Sequence, residues 1–301
     1  MLPYPTVAPG SRVALVAPAG PLSLPTDIDR AVANAKRLGW EPVIGEHARE
    51  KQNYFAGHDD ERLSDLNDAL RDDDIDAVWC LRGGYGAMRL LEGLDYAALR
   101  RRPKVLIGYS DITAFHCAIA TRCGLSSIHG PTARSTLTPF SERSLRAAVL
   151  RNENPCGVAP RAKTIVGGKA RGHLVGGNLA LLVALHGTPY QPRYEGSILV
   201  LEDVNEAPYR IERMLLQLRL SGVLQSCAGI AYGSFTNTGE KDTSLGGSRT
   251  LEAVLREAAD ITGVPTLSNI PMGHIDDQWS IPLGLEAELD ADAKSITVML
   301  Q

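Results

Sequence analysis

The pattern that most constrains this chain is a recurring pair: a short, largely apolar run that stops at glycine, proline or serine, then a stretch with apolar residues at helical spacing. Runs of this kind without polar alternation suit strands buried on both faces. Their alternation with helices predicts a parallel sheet covered on both sides. Residues 12–17 form the first run, closed by Pro18, Gly20 and Pro21. Thr26 and Asp27 then open a helix with Ile28, Val32, Ala35 and Leu38 on one face, and Gly39 ends it before a strand at 42–44. A second helix is predicted from Asp59 to Leu70, with Leu63, Leu66 and Leu70 aligned, and a strand follows at 75–81. That strand runs into Arg82-Gly83-Gly84-Tyr85-Gly86, and a third helical stretch extends to about residue 100. The next apolar run ends at Gly108-Tyr109-Ser110-Asp111, ahead of a helix over 111–122 and a short strand near Ser127–His129.

Between about 150 and 170 the pattern weakens into Asn, Pro and Gly. This places an N-terminal α/β domain at 1–155, a linker at 156–170 and a C-terminal domain at 171–301. The second half resumes with a glycine-rich strand-to-helix transition, Gly172 to Leu179, then a strand at 197–201 that runs into Glu202-Asp203. A helix carries Ile211, Met214, Leu215 and Leu218 on one face up to Gly222. A strand at 228–236, a helix at 249–259 and an alternating hairpin over 285–289 and 295–300 complete the chain.

Composition narrows the partners. With 31 basic and 35 acidic residues the net charge is −4, so nothing pulls the chain toward nucleic acid or anionic membrane, and a small ligand is expected. No stretch resembles a signal peptide or membrane span, which predicts a cytoplasmic protein. The five cysteines are odd in number and contain no C-x-x-C, as expected of reduced thiols. Cys117 adjoins His116, but neighbours on a helix point apart, so a packed core cysteine is expected.

In an open α/β sheet the carboxyl ends of strands line the ligand crevice. The turns at Ala17–Gly20, Arg82–Gly86, Gly108–Asp111, Gly176–Asn178 and Glu202–Asp203 all fall at such ends. Ser110 is a candidate nucleophile there, and it also suits a helix N-cap. Arg-Gly-Gly-Tyr-Gly can turn backbone N–H groups toward an oxyanion or other anion. Neither nucleotide-binding glycine signature is present. A serine nucleophile needs a base, and the base a carboxylate. Of seven histidines His274 lies in an irregular loop, where function concentrates. Glu202 ends an apolar strand, where an unpaired carboxylate is costly, with Asp203 and Glu206 as alternatives. Strand alternation turns Glu202 and Asp203 to opposite faces.

Residues 79–86 (Trp-Cys-Leu-Arg-Gly-Gly-Tyr-Gly), 106–111, Gly176-Gly177-Asn178-Leu179, 199–204 and Gly273-His274 resemble, in order, the LD-carboxypeptidases, serine peptidases of murein recycling. The resemblance implies a flavodoxin-like or Rossmann-like N-terminal domain, a smaller C-terminal β/α domain and a homodimer. It implies Ser110 as nucleophile, His274 as general base, Glu202 as its orienting partner, and the N–H groups of Gly84 and Asp111 as oxyanion donors, with no metal or cofactor. Arg82, Tyr85 and Asn178 are expected to bind substrate. Ile112 stands where the α/β-hydrolase elbow has its second glycine, which speaks against that fold. The substrate expected is a murein tetrapeptide that loses its terminal D-alanine. The family's microcin C immunity type is the nearer alternative and would need an aromatic platform for adenine, for which Trp279 stands nearest His274 in sequence. The remaining alternative is a non-catalytic small-ligand binding protein in which Ser110 only caps a helix.

Overall fold

A computed structural model describes residues 3–239 and 249–300. The first half alternates as its sequence predicts through β1 (Arg12–Val16), α1 (Asp27–Arg37), β2 (Glu41–Ile44), α2 (Asp59–Arg71), β3 (Ala77–Cys80), α3 (Tyr96–Arg101), β4 (Val105–Gly108), α4 (Thr113–Cys123) and β5 (Ser127–His129), and then adds α5 (Pro139–Leu150), a helix without a counterpart among the sequence expectations. β6 (Gly157–Val158), β7 (Lys163–Val166), β8 (Lys169–Asn178), α6 (Leu179–Leu185) and β9 (Ile198–Val204) follow. The chain continues through α7 (Pro208–Leu220), α8 (Val223–Ser226), β10 (Gly229–Thr236), α9 (Leu251–Thr262) and β11 (Thr266–Ser268). It closes with β12 (Ile281–Leu283), β13 (Glu286–Asp290) and β14 (Ser295–Val298).

Two sheets result. The first has the order β12-β5-β4-β3-β1-β2, with β1 to β5 parallel and β12 antiparallel to β5. Its strand order therefore reverses between β1 and β3, and the carboxyl ends flanking that reversal form the crevice of a doubly wound sheet. The second has the order β6-β14-β13-β8-β9-β10-β11-β7, with β8 to β11 parallel at its centre and antiparallel strands at both edges. Both apolar clusters draw on both halves: Trp79 and Ile107 share one with Val200 and Trp279, and Val78 and Phe115 share the other with Leu199 and Tyr232. No helix of the described residues is long and apolar enough to cross a membrane.

Three expectations are corrected. The stretch 156–170 is not a plain linker, because it carries β6 and β7, both strands of the second sheet. The division at 171 is also crossed in the other direction, since β12 returns to pair with β5 in the first sheet. The third helical stretch is broken: a 3₁₀ segment spans Ala87–Gly93, and α3 starts afresh where the Asp95 carboxylate accepts the Ala98 N–H at 2.9 Å.

The strand that ends at Gly108 is fixed from below by His116, on the first turns of α4. Its Nε2 donates to the Gly108 carbonyl at 2.9 Å, and Nδ1 accepts from Ser127 Oγ at 2.8 Å. Full burial lowers the His116 pKa from 6.5 to about 4. Protons therefore bind the unfolded chain more readily between those values, so this contribution to stability is complete above pH 6.5 and is lost as pH falls toward 4. The loss amounts to roughly 3 kcal/mol at the lower limit. Burial lowers His129 in the same direction. Urea unfolding at pH 7, 5.5 and 4.5 is expected to show the midpoint falling, and His116→Gln is expected to flatten that fall.

Candidate active site

Ser110 stands two residues past β4 with φ at 67°, the left-handed region that a non-glycine residue enters at a cost. The chain there starts a 3₁₀ turn over Ser110–Ile112, and α4 begins only at Thr113. Ser110 makes no cap hydrogen bond, which corrects the N-cap expectation: the residues before α4 leave that helix without a side-chain cap. Instead Ser110 Oγ lies 3.1 Å from His274 Nε2, and His274 Nδ1 lies 2.8 Å from Glu202 Oε2. With Nδ1–H donating to the carboxylate, Nε2 is left to accept the serine proton.

Glu202, near the end of β9, is 0% exposed, so its charge has left water and depends on its partner. The loop that delivers His274 can approach it because residue 273 is glycine. Gly273 has φ at 113°, and a Cβ there would stand 2.9 Å from both Glu202 Cβ and Oε2. The Tyr109 ring packs edge-on against His274, centroids 4.9 Å apart, and limits the imidazole from the Ser110 side. Asp203 turns the other way, as alternation requires: its carboxylate accepts the Asn178 side-chain amide and the Ala180 N–H, both at 2.9 Å. Glu206 pairs with Arg210 at 3.6 Å, one helical turn away.

The glycine loop after β3 meets the turn after β1 at the switch point of the sheet. Gly20 N–H donates to the Gly83 carbonyl at 2.9 Å, and the trans peptide turns the Gly84 N–H the opposite way. A Cβ on Gly83 would stand 2.8 Å from Ser110 Cβ, and Gly84 itself holds φ at 114°. Neither the Gly84 nor the Asp111 N–H donates to another described residue. The loop's far end is clamped twice. Ala87 N–H donates to the Asp111 carboxylate at 2.8 Å, and Arg62 donates to the Gly86 carbonyl at 3.2 Å and to the Pro18 carbonyl. Burial pushes the Asp111 carboxyl up, and the Ala87 bond and the Arg62 charge act against it. Arg62 escaped sequence reading because its acidic neighbours on α2 look like a solvated face, yet it is 1% exposed.

The expected substrate-binding residues fare differently. Arg82 reaches the crevice edge, where its Nη1 donates to the Pro21 carbonyl and to Ser23 Oγ. Tyr85 is 58% exposed and packs against Tyr54 and Phe55, with centroids at 5.5 and 5.8 Å. Asn178 is buried, and its polar groups are engaged within the fold. Its side-chain oxygen caps α6 through the Leu181 N–H at 3.2 Å, its amide holds Asp203, and its backbone N–H donates to Thr113 Oγ1 at 3.0 Å. Burial pushes the Asp203 carboxyl up to about 6, so losing its partner is costly. Asn178→Ala is expected to destabilise the fold by about 2 to 3 kcal/mol in urea unfolding and to leave KM for substrate unchanged.

The five cysteines are unpaired; Cys117 is buried, and burial pushes its thiol up to about 12, which leaves it inert beside His116. Trp279, 1% exposed, is packed inside and offers no platform for a base. Among the described residues, no group of three or more His, Cys, Asp or Glu side chains converges on a point as a metal would require.

A doubly wound first sheet, a second sheet that supplies an acid, a loop from β11 to β12 that supplies an imidazole, and a serine hydrogen-bonded through histidine to a buried glutamate define a two-sheet α/β protein with a triad-like site. Family models for the LD-carboxypeptidase N-terminal domain and C-terminal domain match residues 13–130 and 171–289. The murein tetrapeptide carboxypeptidase of Pseudomonas aeruginosa is 38% identical over 93% of this chain and 94% of its own length. The crystal structure of muramoyltetrapeptide carboxypeptidase from Oxalobacter formigenes is 31% identical, covers 96% of this chain and 98% of that chain, and superposes with a TM-score of 0.81. An MccF-like protein of Bacillus anthracis shares the fold, with a TM-score of 0.90 at 24% identity and full coverage of both chains. The chain belongs to the LD-carboxypeptidase family, a family of serine peptidases.

Proposed function

We propose that this protein is a serine carboxypeptidase that removes the terminal D-alanine from murein tetrapeptides by cutting an L,D amide. The observation that carries the reading is the hydrogen-bonded chain Ser110–His274–Glu202 beside two unengaged backbone N–H groups. Ser110 Oγ attacks the amide carbonyl carbon and His274 Nε2 takes its proton, while the Gly84 and Asp111 N–H groups receive the oxyanion. The C–N bond then breaks, and His274 returns the proton to the departing amine of D-alanine. Water, deprotonated by the same imidazole, cleaves the Ser110 ester and releases the shortened peptide. Glu202 keeps Nδ1 protonated and compensates the imidazolium that forms at each step. No metal enters the scheme.

The relatives named as murein tetrapeptide and muramoyltetrapeptide carboxypeptidases, similar over nearly the whole chain, support this substrate. The microcin C type receives less support, since all three tryptophans are buried. The reading includes a cytoplasmic homodimer, on the strength of the family resemblance; sedimentation at micromolar concentration is expected to give twice the chain's mass. The central test is incubation with a free murein tetrapeptide in the presence of EDTA, read by mass spectrometry. Loss of one alanine is expected. An intact tetrapeptide contradicts the substrate assignment, and activity that EDTA abolishes contradicts the metal-free mechanism.

A further inference from the structure

Two arginines outside the Ser110–His274–Glu202 chain meet at the crevice. Arg82 follows β3, and a Cβ on Gly84 would stand 3.9 Å from its Nε, so its stem lies over the Gly20–Gly84 contact. Arg134 arrives from the other side, on the loop after β5. That loop is built to hold it: Ala133 N–H donates to the Cys80 carbonyl at 2.9 Å, and the Asn34 side-chain amide donates to the carbonyls of Ala133 and Ser135, both at 2.8 Å. The Arg134 guanidinium faces Asp27 Oδ2 at 3.6 Å, an ion-pair distance too long for a hydrogen bond. Asp27 Oδ2 already accepts the N–H groups of Ser23 and Leu24. The Arg134 side chain is 29% exposed, and its guanidinium donates no hydrogen bond to any described residue.

The charges do not balance. Burial, and next to it the Arg134 charge, hold the Arg82 guanidinium below its ordinary value, with Asp27 acting against them. Arg134 also acts on Tyr109, whose hydroxyl is pushed up by burial and then by Glu202 while Arg134 opposes them. Two guanidiniums share the one Asp27 carboxylate beside the Gly20–Gly84 contact, which leaves a positive charge there. Such a charge, held on a fixed loop with its donors unused, calls for an anion from outside the chain.

We propose that Arg134, with Arg82 beside it, binds the free α-carboxylate of the leaving residue and so restricts cleavage to the last peptide bond of the substrate. The proposal rests on the carboxypeptidase reading of the site. In such a substrate the carboxylate stands one carbon beyond the leaving nitrogen, so its cation must lie on the side where His274 delivers the proton. Arg134 is tied to the crevice through one turn: the Asp27 carboxylate that it faces accepts the Ser23 N–H, Ser23 Oγ accepts from Arg82, and Arg82 lies over Gly84 beside the Ser110 loop. The planar guanidinium fork matches both oxygens of a carboxylate, which a lysine cannot do.

The test compares a murein tetrapeptide with the same peptide ending in D-alaninamide. The wild type is expected to prefer the acid in kcat/KM, and Arg134→Gln to lower the acid-to-amide ratio by about 10- to 100-fold, chiefly through KM for the acid. Arg134→Lys keeps the charge without the fork and is expected to lower the ratio by a smaller factor. It serves if the glutamine variant is not recovered folded. A wild type without preference, or an Arg134 variant that keeps the full preference, overturns the carboxylate clamp and leaves the carboxypeptidase reading standing. A wild type that cleaves neither peptide overturns that reading and the clamp with it.

Discussion

Ser110→Ala is expected to lower kcat on a murein tetrapeptide by about 10⁴- to 10⁶-fold, the range seen when the nucleophile of a serine triad is removed. Residual turnover would come from the Gly84 and Asp111 N–H groups acting on a bound amide, without a covalent step. The fold is not expected to suffer, because alanine at φ 67° carries the same backbone strain as serine and only the 3.1 Å contact to His274 is lost. Urea midpoints for the two proteins should therefore agree to within about 1 kcal/mol. A variant that keeps a tenth of wild-type turnover would show that Ser110 is not the nucleophile.

Glu202→Gln is expected to cost about 10⁴-fold in kcat, from a change of one atom. Glu202 Oε2 accepts the proton on His274 Nδ1 at 2.8 Å and is fully buried, so water cannot take over. A glutamine that presents its NH₂ to Nδ1 forces the proton to Nε2, where it blocks transfer from Ser110. One that presents its oxygen keeps the tautomer but leaves the imidazolium without a counter-charge. Either way the loss falls on kcat rather than KM, and steady-state kinetics on the tetrapeptide separates the two. Loss confined to KM would make Glu202 a substrate contact instead.

The parts of the fold legible in the sequence are those dictated by burial alone. β3, β4 and most of β1 and β9 are continuous apolar runs because parallel strands are covered on both faces, and the residues at or just past their ends fall at the crevice by topology. That rule placed Ser110, Glu202 and the Arg82–Gly86 loop at strand ends, while His274 was found through the irregularity of its loop. Other features carry no local signal. The three residues of β12 are equally apolar whichever sheet they join, so only tertiary pairing with β5 decides. β6 and β7 are short edge strands in a stretch of Gly and Pro. Asn178 at a strand end reads as a ligand contact, and its capping role depends on Asp203 lying alongside in β9. Arg62 and Arg134 carry no local mark, because charge patterns do not reveal that Arg62 is buried against the Pro18 and Gly86 carbonyls or that Arg134 faces Asp27. The positive φ of Ser110 has no sequence mark at all, since serine gives no conformational licence of the glycine kind.

The proposed reaction depends on a nucleophilic serine, and a fluorophosphonate probe tests that most directly. Labelling followed by peptide mapping is expected to place a single adduct on Ser110 in the wild type and none in Ser110→Ala. No adduct on the wild type, or equal labelling of the two proteins, would contradict it.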